Sequence, residues 1–187
     1  MSMFAEYLGS VSELPAVIVQ QLSAATISQK VPKDHQLLRS RTTSREIYFV
    51  VSGLARTFYE LDGRDVTQYF ATEGTIIGGV DSFFSQRPSD IQIQTLEPCL
   101  LQSISYQTLE KLYQQSHALE RVGRLLSTQA FLRMQERLYS LQFHSATQRY
   151  HNLLASSPDI LQRASLGHVA SYLGMTQVTL SRIRAQR

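Results

Sequence analysis

Tryptophan is absent from this 187-residue chain, and cysteine occurs once. A single thiol, Cys99, excludes an internal disulfide framework and cannot supply a four-thiolate iron–sulfur or zinc site within one chain. It stands in the apolar run EPCLLQSIS, so a buried structural thiol is expected rather than a redox sensor. Long hydrophobic runs are missing too: none approaches the roughly twenty residues needed to span a bilayer. The first ten residues, MSMFAEYLGS, carry acid rather than base ahead of their apolar stretch. A cytoplasmic protein with no membrane partner is therefore expected.

Acid is scarce in one region. Residues 1–120 carry nine Lys and Arg against thirteen Asp and Glu, a balance of −4. Residues 121–187 carry nine Arg, no Lys, and only Glu136 and Asp159, a balance of +7. The formal net charge of +3 conceals this asymmetry, which concentrates arginine where it would attract phosphates irrespective of sequence. An apolar content of 43% suits one large or two modest globular domains.

Signatures of catalysis are also lacking. There is no nucleophile elbow, phosphate loop or carboxylate pair. A metal-dependent cupin needs two or three histidines and a carboxylate converging inside a barrel. The strand-rich region offers only His35, while His117, His144, His151 and His168 fall in helical stretches. No enzyme, metal or cofactor is expected. The competing reading is a ligand- or partner-binding barrel module of cupin-like fold with no DNA readout, which loss of Arg182 would favour; Arg182 is present.

The periodicity divides the chain into three parts. A short helix is expected from Leu14 to Ala25 behind Ser12. The runs EIYFVVSG, LARTFYEL, RDVTQYFA, TIIGG, IQIQTLE and CLLQSIS then read as short strands, with Asp62-Gly63 a hairpin turn. Such spacing predicts an antiparallel jelly-roll barrel over 1–115, within an α+β fold. Helical spacing follows, Tyr106 to Gln114 and then Ala118 to Phe143. On the second helix Leu119, Val122, Leu126, Ala130, Met134, Leu138 and Leu141 form one stripe, and Leu125, Leu132 and Tyr139 another. The front domain can cover one stripe, so 116–143 is expected to be a dimerisation helix packed on a second copy.

The tail, 144–187, ends in LGHVASYLGMTQVTLSRIRAQR. Ala170 is small enough for two helices to cross closely, Gly174 tolerates positive φ in the turn, and Thr176 can cap the second helix. Val169, Leu173, Met175, Leu180 and Ile183 would close a shared core. That leaves Gln177, Val178, Thr179, Ser181, Arg182 and Arg184 outward, the residue types that read base edges in a major groove.

This succession of barrel, long helix and helix-turn-helix resembles the transcription regulators of the cyclic-AMP receptor protein and fumarate-nitrate regulator (CRP/FNR) family. The matching stretches are EIYFVVSGLARTFYELDGRDVTQYFATEGTIIGG, QRYHNLL and VASYLGMTQVTLSRIR. The resemblance implies that Gln177, Val178 and Arg182 enter the major groove, Arg182 on a guanine, with Thr176, Thr179 and Arg184 on phosphates. It implies double-stranded DNA, a second copy of the chain and RNA polymerase as partners. Val178 replaces an acidic residue common in the family and favours a thymine methyl.

The effector cassette of the family also departs. Gly78-Gly79 stands where Gly-Glu would hold a ribose, and Ser89-Asp90 where an Arg-led pair would hold a cyclic phosphate. With Arg87 two residues away, the pocket is expected to be vacant, filled by Phe83 and Phe84, or adapted to another, unidentified small molecule. Arg187 follows the last helix closely, so the strand wing of many members is expected to be missing or very short.

Overall fold

The computed structural model describes residues 2–186. Helices α1 (Met3–Val11) and α2 (Ala16–Ala25) precede eight strands: β1 (Ile27–Val31), β2 (Gln36–Leu38), β3 (Glu46–Ser52), β4 (Ala55–Leu61), β5 (Arg64–Ala71), β6 (Ile76–Ile77), β7 (Gln92–Thr95) and β8 (Cys99–Ser105). Helix α3 (Val80–Ser85) lies between β6 and β7. Then follow α4 (Tyr106–Gln115), α5 (His117–Phe143), α6 (Ala146–Ser156), α7 (Pro158–Arg163), α8 (Leu166–Tyr172) and α9 (Gln177–Ala185).

The strands form two four-stranded antiparallel sheets, β1-β8-β3-β6 and β2-β7-β4-β5. The expected barrel is therefore barrel-like but not closed: among the described residues no ladder joins the sheets, and the edge strands β2 and β6 are only three and two residues long. Between the sheets lie Val31, Leu38, Tyr48, Val50, Ala55, Ala71, Ile77, Ile91, Ile93, Cys99 and Leu101. Cys99 is buried as expected, its Sγ directed at the carbonyls of Leu54 and Glu97 at 3.5 and 3.3 Å.

Strands β3 and β8 read as continuous apolar runs because both their faces are covered. Their period of two sends Tyr48 and Val50 between the sheets and Phe49 outward, where Phe49 and Ile104 meet Phe4, Leu8, Leu22, Leu109, Leu119 and Val122 of the helices. This helical layer contains α1, which the sequence reading missed. Ser2 caps it by accepting from the Ala5 amide at 3.1 Å, and Phe4 stacks on Phe49 with centroids 5.5 Å apart. Helix α2 starts at Ala16 rather than Leu14 because Pro15 occupies its N-cap.

The hairpin between β4 and β5 turns at Asp62-Gly63, with φ of 50° and 70°, as anticipated. Helix α5 is capped by Ser116, which accepts from the Leu119 amide at 3.3 Å, and runs 27 residues. Its two apolar stripes are covered by length rather than by side. Leu119 and Val122 are buried in their own chain, whereas Leu132, Met134, Leu138, Tyr139 and Leu141 are exposed, Met134 at 61% and Leu138 at 57%. Phe131 and Phe143, outside the predicted stripes, are exposed as well. Among the described residues, no helix is long and apolar enough to cross a membrane. Arg187, on which the expected short wing depends, lies outside the described residues.

Gly53 supplies a backbone test of the β3–β4 turn. Its φ is +105°, and an added Cβ would stand 2.5 Å from Cys99 Sγ and 2.8 Å from the Pro98 carbonyl. Gly53→Ala is expected to destabilise the protein by roughly 2 kcal/mol or more, read as a lowered urea midpoint at fixed protein concentration.

Candidate nucleic-acid interface

The tail begins where Ser145 caps α6 in a reciprocal box with Gln148. Ser165 caps α8 by accepting from the His168 amide at 3.2 Å. The chain then reverses through Gly174, whose φ is +64°, and the Met175 amide donates to the Ala170 carbonyl at 3.0 Å. Thr176 caps α9, accepting from the Thr179 amide at 3.1 Å. Val169, Ala170, Leu173, Leu180 and Ile183 are buried, with Met175 partly buried beside them. This small core extends onto the sheet through Leu54, Phe70 and Leu96, and onto α6 and α7 through Tyr150, Leu153 and Ile160.

Of the residues expected outward, Gln177, Val178, Ser181, Arg182 and Arg184 are exposed, Val178 at 61%. They form one polar, cationic face opposite Leu180 and Ile183. Thr179 is half-buried and its hydroxyl lies 2.9 Å from that of Thr176, so both threonines first serve the helix start.

Sequence reading missed how this unit is held from behind. Arg149 donates from Nε to the Leu173 carbonyl at 2.7 Å and from its two terminal nitrogens to the carbonyls of His144 and Gly174 at 2.6 and 3.3 Å. Arg137 lies 4.0 Å above the Tyr172 ring and donates to the Tyr172 carbonyl at 2.8 Å. Burial draws its pKa down, opposed by Tyr172. Ser171 Oγ accepts from the Thr67 amide of β5 at 3.1 Å. The only signal for these roles was the excess of arginine over acid after residue 120.

Arg163 of α7 bridges two loops of the sheets, donating to Glu73 at 2.8 Å and to Glu97 at 2.5 Å. Glu73 also accepts from the Gly53 amide at 2.8 Å. The Arg163 hydrogen bonds hold the Glu73 carboxyl down to about 2, and both carboxylates push the Arg163 pKa up. On α8, the Nδ1 of His168 is buried without a hydrogen-bond partner, and burial, then nearby Arg56, pushes its pKa down. Arg56 is 2% exposed and pairs with Asp65 and Gln94. A cleft of about 740 Å³ separates the β4–β5 hairpin from α8 and α9, lined in part by Arg64, Asp65, His168 and Gln177.

The cassette residues lie against the segment from Leu38 to Ile47, Gly78 beside Ile47. A Cβ on Gly79 would meet Leu38 Cδ2 at 2.6 Å and Ile91 Cγ2 at 3.0 Å, so a larger side chain there requires those side chains to shift. Ser89 is bridged to Thr42, and the exposed Asp90 carboxylate accepts from Ser40 at 3.1 Å and lies 3.8 Å from Arg41. Gly79 thus brings no carboxylate, and Asp90 no cation, to the cassette. Nor do Phe83 and Phe84 fill the inter-sheet space. Phe83 is buried in the helical layer against Tyr106, with ring centroids 5.4 Å apart, and Phe84 is half exposed.

Residues 28–116 match the family model for the cyclic nucleotide-binding domain. No curated protein matches the chain. Among solved structures, the chain is similar to the c-di-GMP responsive global regulator CLP from Xanthomonas campestris, at 21% identity over 92% of this chain and 91% of that one, TM-score 0.71. FixK2 from Bradyrhizobium japonicum shares 21% identity over 86% and 83%, TM-score 0.73. A protein described as a CRP/FNR-family transcriptional regulator from Eubacterium rectale shares 16% over 97% and 87%, TM-score 0.76. These likenesses establish a common fold that extends from the double sheet through the helical tail.

The Arg163 bridge has a defined pH dependence. With its folded pKa depressed, Glu73 contributes stability above the ordinary carboxylate pKa of 4.5, and that contribution is lost as pH falls toward about 2. Because Glu73 is 45% exposed, solvent screening limits it to the order of 1 kcal/mol. Wild type should lose more stability than Arg163→Met between about pH 5 and about pH 2, measured by urea unfolding at each pH.

Proposed function

We propose that the chain is a homodimeric, DNA-binding transcription regulator that presents α9 to the major groove. The observation that carries this reading is the cationic outer face of α9, with Gln177, Val178 and Arg182 exposed behind a capped start and a glycine turn. Arg182 reads a guanine, Gln177 an adenine, and Val178 packs on a thymine methyl. Arg184, with Thr176 and Thr179 at the helix start, holds phosphates. The similarity in fold to solved transcription regulators supports the same reading.

The uncovered apolar surface of α5, from Phe131 to Phe143, packs on the same surface of a second copy. Two-fold symmetry then places two α9 helices about one helical turn of DNA apart, on an inverted-repeat operator. The double sheet is the regulatory module, and RNA polymerase is the partner such a regulator acts upon. Cyclic AMP is not the input, since Gly79 and Asp90 offer neither anchor.

Fluorescence anisotropy with an operator selected from random duplexes tests the core statement. Arg182→Ala is expected to weaken operator binding by about 1–3 kcal/mol and relax preference at one base pair, with mixed-sequence binding nearly unchanged. Unchanged sequence preference would overturn the assignment. Leu138→Asp is expected to give monomers in sedimentation and to abolish tight operator binding. Calorimetry with cyclic AMP should show no heat; micromolar affinity would refute the reading of the cassette.

A further inference from the structure

The carbonyls at the end of α8 point past the helix into the turn that orients α9, and at a helix end such groups have no intrahelical partner. Here three in succession are taken by arginine: Tyr172 by Arg137, and Leu173 and Gly174 by Arg149. The two guanidiniums come from different helices. Arg137 stands on α5 and also donates to the Thr67 carbonyl of β5 at 3.4 Å, while Arg149 stands on α6 and also holds His144, the C-cap of α5.

We propose that Arg137 and Arg149 are positioning residues for DNA reading, a clamp that sets the angle of α9 relative to α5 and the sheet. The inference rests on the DNA-reading function proposed for α9 and names the parts that transmit to it. Rigid placement of a turn needs fixed directions as well as charge, and a planar guanidinium supplies several donors in a fixed fork. Arg149 uses three of them, on the C-cap of α5 and on the end of α8 with its turn, so the end of α5 and the turn that leads into α9 cannot rotate independently while it is in place. Arg137 adds the third body, since its guanidinium, carried by α5, meets both the Tyr172 ring and carbonyl and the β5 backbone. Ser171, bonded to the Thr67 amide, closes the same junction from the α8 side. A displacement of β5 therefore reaches α8 through Arg137 and Ser171, and a change in the dimer helix reaches the turn through Arg149.

Lysine at either position keeps a cation near the helix C-terminus but loses the fork, so Arg137→Lys and Arg149→Lys separate positioning from simple charge. Spin labels at Ser181→Cys and Glu60→Cys, in protein diluted with unlabelled chains, report the placement of α9 against the sheet. Wild type should give one narrow distance distribution, broadened in both lysine variants while their circular dichroism stays native. In the anisotropy assay, the ratio of operator to mixed-sequence affinity should fall at least ~10-fold, the scale of one charge-assisted hydrogen bond, with mixed-sequence binding retained. Tyr172→Leu, which removes the ring under Arg137 and leaves all three carbonyls, serves as a second variant and should lower the same ratio by a smaller factor. Narrow distances and an intact ratio in the lysine variants overturn the clamp alone. A wild type that prefers no duplex sequence overturns the reading of α9 itself.

Discussion

A helix of nine residues is too short to persist in water, because helix initiation is costly and few hydrogen bonds follow it. Helix α9 exists because Leu180 and Ile183 are buried against α8 and α6, in a cluster that α8 continues onto the sheet. Each buried aliphatic side chain contributes about 2 kcal/mol, enough to outweigh the weak helix propensity of Val178 and Thr179. Everything on the outer face depends on that burial. Its direction follows from the same contact, since the residues opposite Leu180 and Ile183 must point to solvent.

The tail is joined to the sheets by polar contacts as well as apolar ones. Arg163, Ser171 and Arg137 each cross from helix to strand or loop. Such contacts are directional and break over short distances, whereas the apolar cluster tolerates sliding. A junction built from both can hold one arrangement firmly and still release it when a few hydrogen bonds are exchanged, the property required of a two-state element. Helix α5 gives the arrangement its second constraint, since its first turns are buried in its own chain and its later turns hold the tail through Arg137 while leaving their apolar side chains exposed.

The cassette end of the double sheet is filled by the chain's own side chains. Leu38 and Ile91 close the space beside Gly79, and Asp90 is engaged with Ser40 and Arg41 at the surface. Neither position carries the charged group that the family resemblance would place there.

Local and periodic features were legible in the residues. The Asp62-Gly63 hairpin, the long helix, the glycine turn at Gly174 and the outward face of α9 each rest on near-neighbour conformational preference or on a repeat of 2 or 3.6, which the chain carries without knowing its partners. The short strands β1 and β2, the first helix and α3 were not, because a few residues hold too little pattern and their stability comes from contacts distant in sequence, such as Phe4 on Phe49. The same reason hid the clamp. Arginine in a helical stretch looks like a solvated charge until folding brings a row of carbonyls to it. The chain by itself therefore determined which side chains of α9 face outward; only the tertiary structure decided what holds that surface still, because the groups that hold it lie 24 to 70 residues away.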